Sequence, residues 1–197
     1  MARADIQRFA HGVLLLLLLQ SLGCLGTRGG KLPPIEAWPP AKSDSAQPIS
    51  LEITGFSEWT PASGRRLRGP VSRGSIVRAF SDSGLFSSVS GALVPGNLRA
   101  KVQIEARETL KGNGWLTALT LYLVPFGRIH TYDLEMGFID PEGDVIFICQ
   151  RTDTSSLWWH LVFVFTWPFN RPLSVAPTVR YDLARACLVE AATTGVL

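Results

Sequence analysis

The chain has 197 residues, of which 46% are hydrophobic and 18% are charged, and its formal net charge is +3. This balance excludes an intrinsically disordered chain, which would carry fewer apolar and more charged residues. It also excludes a strongly basic nucleic-acid-binding protein. The densest cationic cluster is Arg65-Arg66-Leu67-Arg68, which we interpret as a solvated loop.

The N-terminus has the layout of a secretory signal. Arg3 and Arg8 precede an unbroken apolar run at 13–19, and Gln20-Ser21-Leu22-Gly23-Cys24 follows it. A cationic start, a short apolar stretch and a small-residue exit are typical of export signals. The run is shorter than the roughly 20 apolar residues that a membrane-spanning helix needs. We therefore predict a signal peptide at 1–23.

The residues around Cys24 suggest how the signal ends. Leu22-Gly23-Cys24 resembles the lipobox of bacterial lipoproteins, although Ser21 stands where Leu is usual. The resemblance implies cleavage before Cys24 and a diacylglyceryl group on its thiol, which would anchor the chain durably. Two alternatives stay open: cleavage after Gly26, or retention of 11–26 as an uncut anchor.

Residues 24–48 are predicted to be a lipid-attached flexible tether, because they are rich in Gly, Pro and Ser and show little apolar periodicity. Pro33-Pro34 and Pro39-Pro40 are incompatible with a helix interior. The remaining residues, 49–197, suffice for one domain with an ordinary core.

Alternation of apolar and polar residues predicts most strands of this domain. From 98 to 107, even-numbered residues are apolar and odd-numbered residues are polar, which is typical of a sheet with one solvated face. The predicted strands are 49–56, 98–109, 117–124, 129–139 and 145–151, with an edge strand near 85–89, a loop at 57–74 and turns at 111–114 and 140–144.

Two helices are predicted, at 75–83 and 178–193. Gly84 suits a left-handed C-cap of the first, and Pro177-Thr178 begins the second. The predicted fold class is α+β: an antiparallel meander of about 4–6 strands with two helices packed on one face.

Cys149 and Cys187 fall at positions predicted to be buried, one in a strand and one in the last helix. Export permits a disulfide, but pairing requires Cα atoms within about 7 Å, which the sequence does not show. We expect two buried thiols, with a disulfide as the alternative. The sequence lacks the C-x-x-C spacing that is typical of metal sites.

The segment 157–169, LWWHLVFVFTWPF, is crowded with aromatic residues and has no charged residue. Tryptophan at both ends of an apolar block is typical of a membrane–water interface. We predict that Trp158, Trp159, Phe163 and Trp167 contact that interface. The alternatives are packing in the core under the last helix, or a patch for a partner protein.

Several motifs resemble uncharacterised proteobacterial envelope lipoproteins. They are S-G-x-F-x-x-V at 83–89, a T-L-x-L-x-P-type strand at 119–125, Thr131-Tyr132, and Trp159-His160-Leu161 leading to Pro168-Phe169. The resemblance spans roughly 75–190 and implies an envelope location, but it carries no assigned activity.

No catalytic or metal site is predicted. A nucleophilic set needs a His near Ser or Cys, oriented by a carboxylate. His130 with Asp133 is kept as the alternative of an exported hydrolase. Asp140, Glu142 and Asp144 are interpreted as parts of a turn, because a calcium loop needs a longer pattern of oxygen ligands.

The sequence thus predicts a non-enzymatic envelope lipoprotein that acts by binding or scaffolding at a membrane surface. Its predicted partners are membrane lipid, through Cys24, and an envelope protein; no nucleic acid and no cofactor are expected. The outer membrane is preferred over the inner one, because Leu25-Gly26 lacks the Asp that favours inner-membrane retention.

Overall fold

The computed structural model describes residues 24–30, 32, 35, 38–40, 46–59, 67–120, 123–160, 163 and 172–197. The predicted signal peptide and Trp167 lie outside the described residues. The elements in chain order are β1 (Cys24–Arg28), β2 (Ile49–Trp59), β3 (Leu67–Pro70), α1 (Gly74–Ser83), β4 (Val89–Ser90), β5 (Leu98–Lys111), α2 (Gly114–Leu119), β6 (Phe126–Ile139), β7 (Val145–Trp159) and α3 (Pro172–Thr193).

The seven strands form one mixed sheet in the order β1-β7-β6-β5-β2-β3, with β4 beside β2. β5, β6 and β7 make an antiparallel meander, but β2 runs parallel to β5. A parallel pair needs a long crossover, and the chain between β2 and β5 supplies one that contains α1. The predicted α+β class is therefore confirmed, whereas a wholly antiparallel sheet is wrong.

The core lies between one face of the sheet and the packed helices α1 and α3. The strands alternate as predicted, with side chains buried on the helix face and polar on the open face. α1 ends at Gly84, whose φ of 66° confirms the predicted left-handed cap. Fully buried large side chains include Ile49, Ile76, Phe80, Val102, Ile104, Leu134, Met136, Phe138, Val179, Leu183 and Leu188.

Residues predicted to turn and re-enter the sheet after β5 form the helix α2 instead. Asn113 explains the difference, because its side-chain oxygen accepts hydrogen bonds from the backbone N–H groups of Trp115 and Leu116. Asparagine is a strong helix N-cap as well as a turn former. The predicted strand at 117–124 is therefore wrong over Thr117–Leu119.

Other boundaries also differ from the prediction. β2 and β3 occupy part of the loop predicted at 57–74, and the edge strand near 85–89 shrinks to the two residues of β4. α3 begins at Pro172 and contains Pro177, so the helix starts one to two turns earlier than predicted. β7 continues to Trp159 and takes in the first three residues of the aromatic segment 157–169.

The two buried cysteines form a disulfide. Cys149 on β7 and Cys187 on α3 have Cα atoms 5.7 Å apart, so the expectation of two separate thiols is wrong. The third cysteine, Cys24, is free and begins β1. The bond fastens α3 covalently to the sheet.

Candidate functional site

Several strand ends meet where the described chain begins. β1 starts at Cys24, which pairs with Trp159 at the end of β7, and Trp159 pairs with Phe126 at the start of β6. β5 ends beside them, because Lys111 pairs with Gly127. We call this the Cys24 end of the sheet. The opposite end, where the turn 140–144 joins β6 to β7, is the Asp140 end.

The predicted interface tryptophans lie at the Cys24 end on opposite faces of the sheet. The ring of Trp159 stacks on Phe126 with centroids 5.5 Å apart, and the Arg128 guanidinium lies 5.5 Å from the Trp159 ring. Trp158 lies on the open face against Gly127, where an added Cβ would fall 2.6 Å from the indole. Glycine at this position thus lets the indole lie flat on the sheet.

The remaining predicted interface residues follow β7. Phe163 is half-buried, with its ring centroid 5.7 Å from that of His160. The Nε2 atom of His160 is 2.9 Å from the backbone oxygen of Leu123, a hydrogen-bonding distance. The structure therefore brings Trp158, Trp159 and Phe163 to the same end as Cys24.

β1 is fixed to the domain, contrary to the prediction that the chain is a flexible tether from Cys24 onward. Arg28 donates through Nε to Asp153 on β7, over 2.7 Å, and through Nη1 to Asp182 on α3. The Asp153 side chain is fully buried, and Gly29 extends the pairing by donating its N–H to the Thr154 oxygen. Only three residues therefore separate Cys24 from Arg28 and its ion pair with the buried Asp153.

The thiol of Cys24 faces the helix side of the sheet, because it shares the face of its partner Trp159. It is half-buried, and this burial raises the pKa of the thiol. A free thiol here is therefore less ionised than an exposed one at neutral pH.

The structure does not bring His130 and Asp133 together. Three residues apart on β6, they point to opposite faces. His130 lies near the buried Glu108, with Nε2 4.0 Å from Oε1, while Asp133 accepts a hydrogen bond from Thr152 on the open face. Burial lowers the pKa of His130, and the nearby charge of Arg128 contributes to the shift.

The acidic turn at the Asp140 end is held by its own backbone. The Asp140 carboxylate accepts hydrogen bonds from the N–H groups of Gly143 and Asp144. Among the described residues there is no group of three or more His, Cys, Asp or Glu side chains placed to hold a metal ion. In the same part of the chain, no helix is long and apolar enough to span a membrane.

Sequence reasoning missed one element of the Cys24 end. Trp115, Leu116 and Leu119 on α2 are exposed there, because α2 joins β5 to β6. The missed signal was Asn113, which we assigned to a turn. The ion pair of Arg28 was also missed, and it links residues more than a hundred positions apart, so no local pattern announces it.

Comparisons with known proteins show no family. No family model and no curated protein matches the chain. Among solved structures, the chain is similar to one described as a neuraminyllactose-binding hemagglutinin homolog from Helicobacter pylori. That match has a TM-score of 0.39 and 10% identity and covers 81% of this chain and 87% of the other. A likeness at this level supports no argument about fold or function.

Proposed function

We propose that this protein is a bacterial envelope lipoprotein, attached through Cys24, whose domain acts by binding or scaffolding at the membrane surface. The observation that carries the proposal is the position of Cys24. It lies shortly after an export-type apolar run in the sequence, and it begins an edge strand at one end of the sheet. A lipid on this residue would therefore meet no folded element between itself and the bilayer.

The contacts of Arg28 would hold the domain close to the lipid-bearing residue. Because β1 is bound to β7 and α3, the domain would stand directly on the membrane rather than drift on a tether. Its orientation would then be set by the Cys24 end. The long axis of β6 and β7 would point away from the bilayer, and the Asp140 end would be farthest from it.

The open face of the sheet is a surface on which an envelope protein partner would fit. It is polar at its centre, where residues of β5, β6 and β7, most of them with exposed or half-buried polar side chains, line a shallow depression. A polar, uncovered surface of this kind is typical of non-obligate contacts. The lining residues are Gln103, Glu105, Asp133, Leu134, Glu135, Gln150, Arg151 and Thr152.

Fractionation of cells that carry Cys24→Ser tests the proposal. We expect this variant to lose most of its membrane association after a high-salt wash, because the thioether bond cannot form. Gly23→Ala is the matched control, since it keeps a small residue before the cysteine and should stay membrane-bound. Full retention of Cys24→Ser in the membrane fraction would contradict lipid attachment.

An uncut N-terminal anchor is the competing proposal, and the apolar run at 13–19 is what favours it. It predicts a protein that starts at Met1 and stays in the membrane whatever residue occupies position 24. The outer membrane remains our preferred location, and density separation of the two membranes checks it directly.

A further inference from the structure

The helix α2 exposes its large apolar side chains and buries a polar one, the opposite of an ordinary surface helix. Thr117 is its buried residue, at 2% exposure, whereas Trp115 and Leu119 are exposed by 74% and 78%. Leu116 within the helix and Leu123, four residues after its end, are also exposed. A soluble helix buries its apolar side chains, so this arrangement indicates a surface that meets something other than water.

The position of α2 indicates what that surface meets. It joins β5 to β6 at the Cys24 end, and Gly112, with a φ of 88°, allows the helix to begin soon after β5 ends. β5 and β1 are three inter-strand spacings apart, which at about 4.8 Å each is roughly 14 Å. The sequence before Cys24, including the apolar run at 13–19, therefore connects to the domain at a strand about 14 Å from the one that leads into α2.

The two ends of the sheet also differ in charge, and this difference favours the Cys24 end as the membrane-facing one. The sequence has no Asp or Glu at 109–132 or at 154–181. Lys111 in the first stretch is exposed, whereas Arg128 pairs with the buried Glu108 carboxylate over 3.4 Å. The turn at the Asp140 end instead carries Asp140, Glu142 and Asp144. A bilayer with anionic headgroups would attract the Cys24 end and repel the Asp140 end.

We infer that α2 and Leu123 form a membrane-docking wedge that inserts into the same leaflet as the N-terminal attachment. The wedge consists of Trp115, Leu116, Leu119 and Leu123. This inference rests on the proposed function, because it needs the chain to be held at a membrane at its N-terminus. The short fixed segment from Cys24 to Arg28 keeps the wedge within reach of the lipid, and the exposed Lys111 beside the wedge suits anionic headgroups.

A fluorophore at position 119 tests the wedge in the full chain. Leu119→Cys is labelled with the environment-sensitive dye NBD in membrane-extracted protein, and mass spectrometry counts the labels. The protein is reconstituted into vesicles of phosphatidylethanolamine and phosphatidylglycerol, with and without nitroxide-labelled acyl chains. Ile148→Cys is the matched control. It is also exposed, at 60%, and the 11 residue steps along β7 from Ile148 to Trp159 place it about 36 Å from the Cys24 end.

The expected result is several-fold stronger quenching at position 119 than at position 148. Equal quenching at the two positions, or none at position 119, would overturn the wedge. Flotation of the same samples measures independently whether the protein is attached to the vesicles. Protein that floats without quenching at position 119 would leave the proposed function standing and remove only the wedge. Protein that fails to float would remove both.

Discussion

The two ends of the sheet use apolar and charged residues in different ways. At the Cys24 end, aromatic and aliphatic side chains are exposed or half-buried, Lys111 is exposed, and Arg128 pairs with the buried Glu108. At the Asp140 end, a turn carries three carboxylates, and Val196 and Leu197 at the chain terminus lie near Pro141. Exposed aliphatic side chains occur at both ends, including Ile148 toward the Asp140 end. The two ends therefore differ in the exposed aromatic residues of the one and the carboxylates of the other.

The ends also differ in how α3 is held to the sheet. Toward the Asp140 end, a disulfide between Cys149 and Cys187 joins α3 to β7. Toward the Cys24 end, Arg28 joins β1, β7 and α3 by charge-assisted hydrogen bonds. The disulfide is covalent and can be broken by reduction, whereas the Arg28 interaction depends on the buried Asp153 carboxylate.

Removing the disulfide should have the largest effect on stability. The bond closes a loop across a sequence separation of 38, for which loop-closure entropy alone gives about 4 kcal/mol. We expect Cys187→Ala, or reduction of the intact protein, to lower the free energy of unfolding by a comparable amount. Urea unfolding with and without reductant measures it. Unchanged unfolding under reducing conditions would show that the two thiols are not joined.

Removing the Arg28 ion pairs should lower the free energy of unfolding slightly less than removing the disulfide. Arg28→Ala leaves the buried Asp153 carboxylate without its arginine, and we expect a loss of about 3 kcal/mol. Arg78→Ala is the control, because the Arg78–Asp82 pair is largely exposed and should contribute less than about 0.5 kcal/mol. Equal effects of the two variants on thermal unfolding would mean that β1 is not fixed to the domain.

Much of the domain was predictable because its burial is one-sided. β5 and β6 alternate strictly, and such alternation follows directly from a sheet with one wet face. α1 was found from its apolar spacing and from Gly84. These elements are encoded by neighbouring residues, so a single sequence suffices to predict them.

What sequence reasoning missed depends on pairings between distant parts of the chain. Residues 24–28, CLGTR, have weak strand character, and they form β1 because β7 offers them an edge. The parallel pairing of β2 with β5 and the disulfide likewise need the tertiary structure. α2 was missed for a different reason: Asn113 is equally compatible with a hairpin turn and a helix cap.

The wedge should contribute to membrane affinity without contributing to stability. In protein that lacks the lipid because of Cys24→Ser, we expect Trp115→Ser with Leu119→Ser to weaken vesicle binding by about 2 kcal/mol, or roughly thirty-fold. Unfolding should change by less than about 0.5 kcal/mol, because both side chains are exposed. Val145→Ser with Ile148→Ser, at the other end, should leave vesicle binding unchanged. Equal weakening by both pairs would erase the distinction between the ends.

The smallest expected effect concerns pH. His130 is half-buried near Glu108, Arg128 and Arg180. Partial burial holds its pKa below the ordinary value of 6.5, with the two arginines adding to the shift and Glu108 opposing it. The unfolded chain therefore binds a proton first as the pH falls. Stability should be fully present above about pH 6.5 and decline below it, until the folded-state pKa is passed. His130→Asn should flatten this decline between pH 7.5 and 5.5. An identical slope in variant and parent would assign the acid sensitivity to other groups.

The intact mass of the membrane-extracted protein tests the central claim most directly. Lipid attachment at Cys24 predicts the mass of residues 24–197 plus acyl groups, and loss of the acyl mass in Cys24→Ser. A full-length unmodified mass would contradict it and make residues 11–26 an anchor. A shortened chain without acyl groups would also contradict it, and would leave the exposed side chains of α2 as a surface for a protein partner.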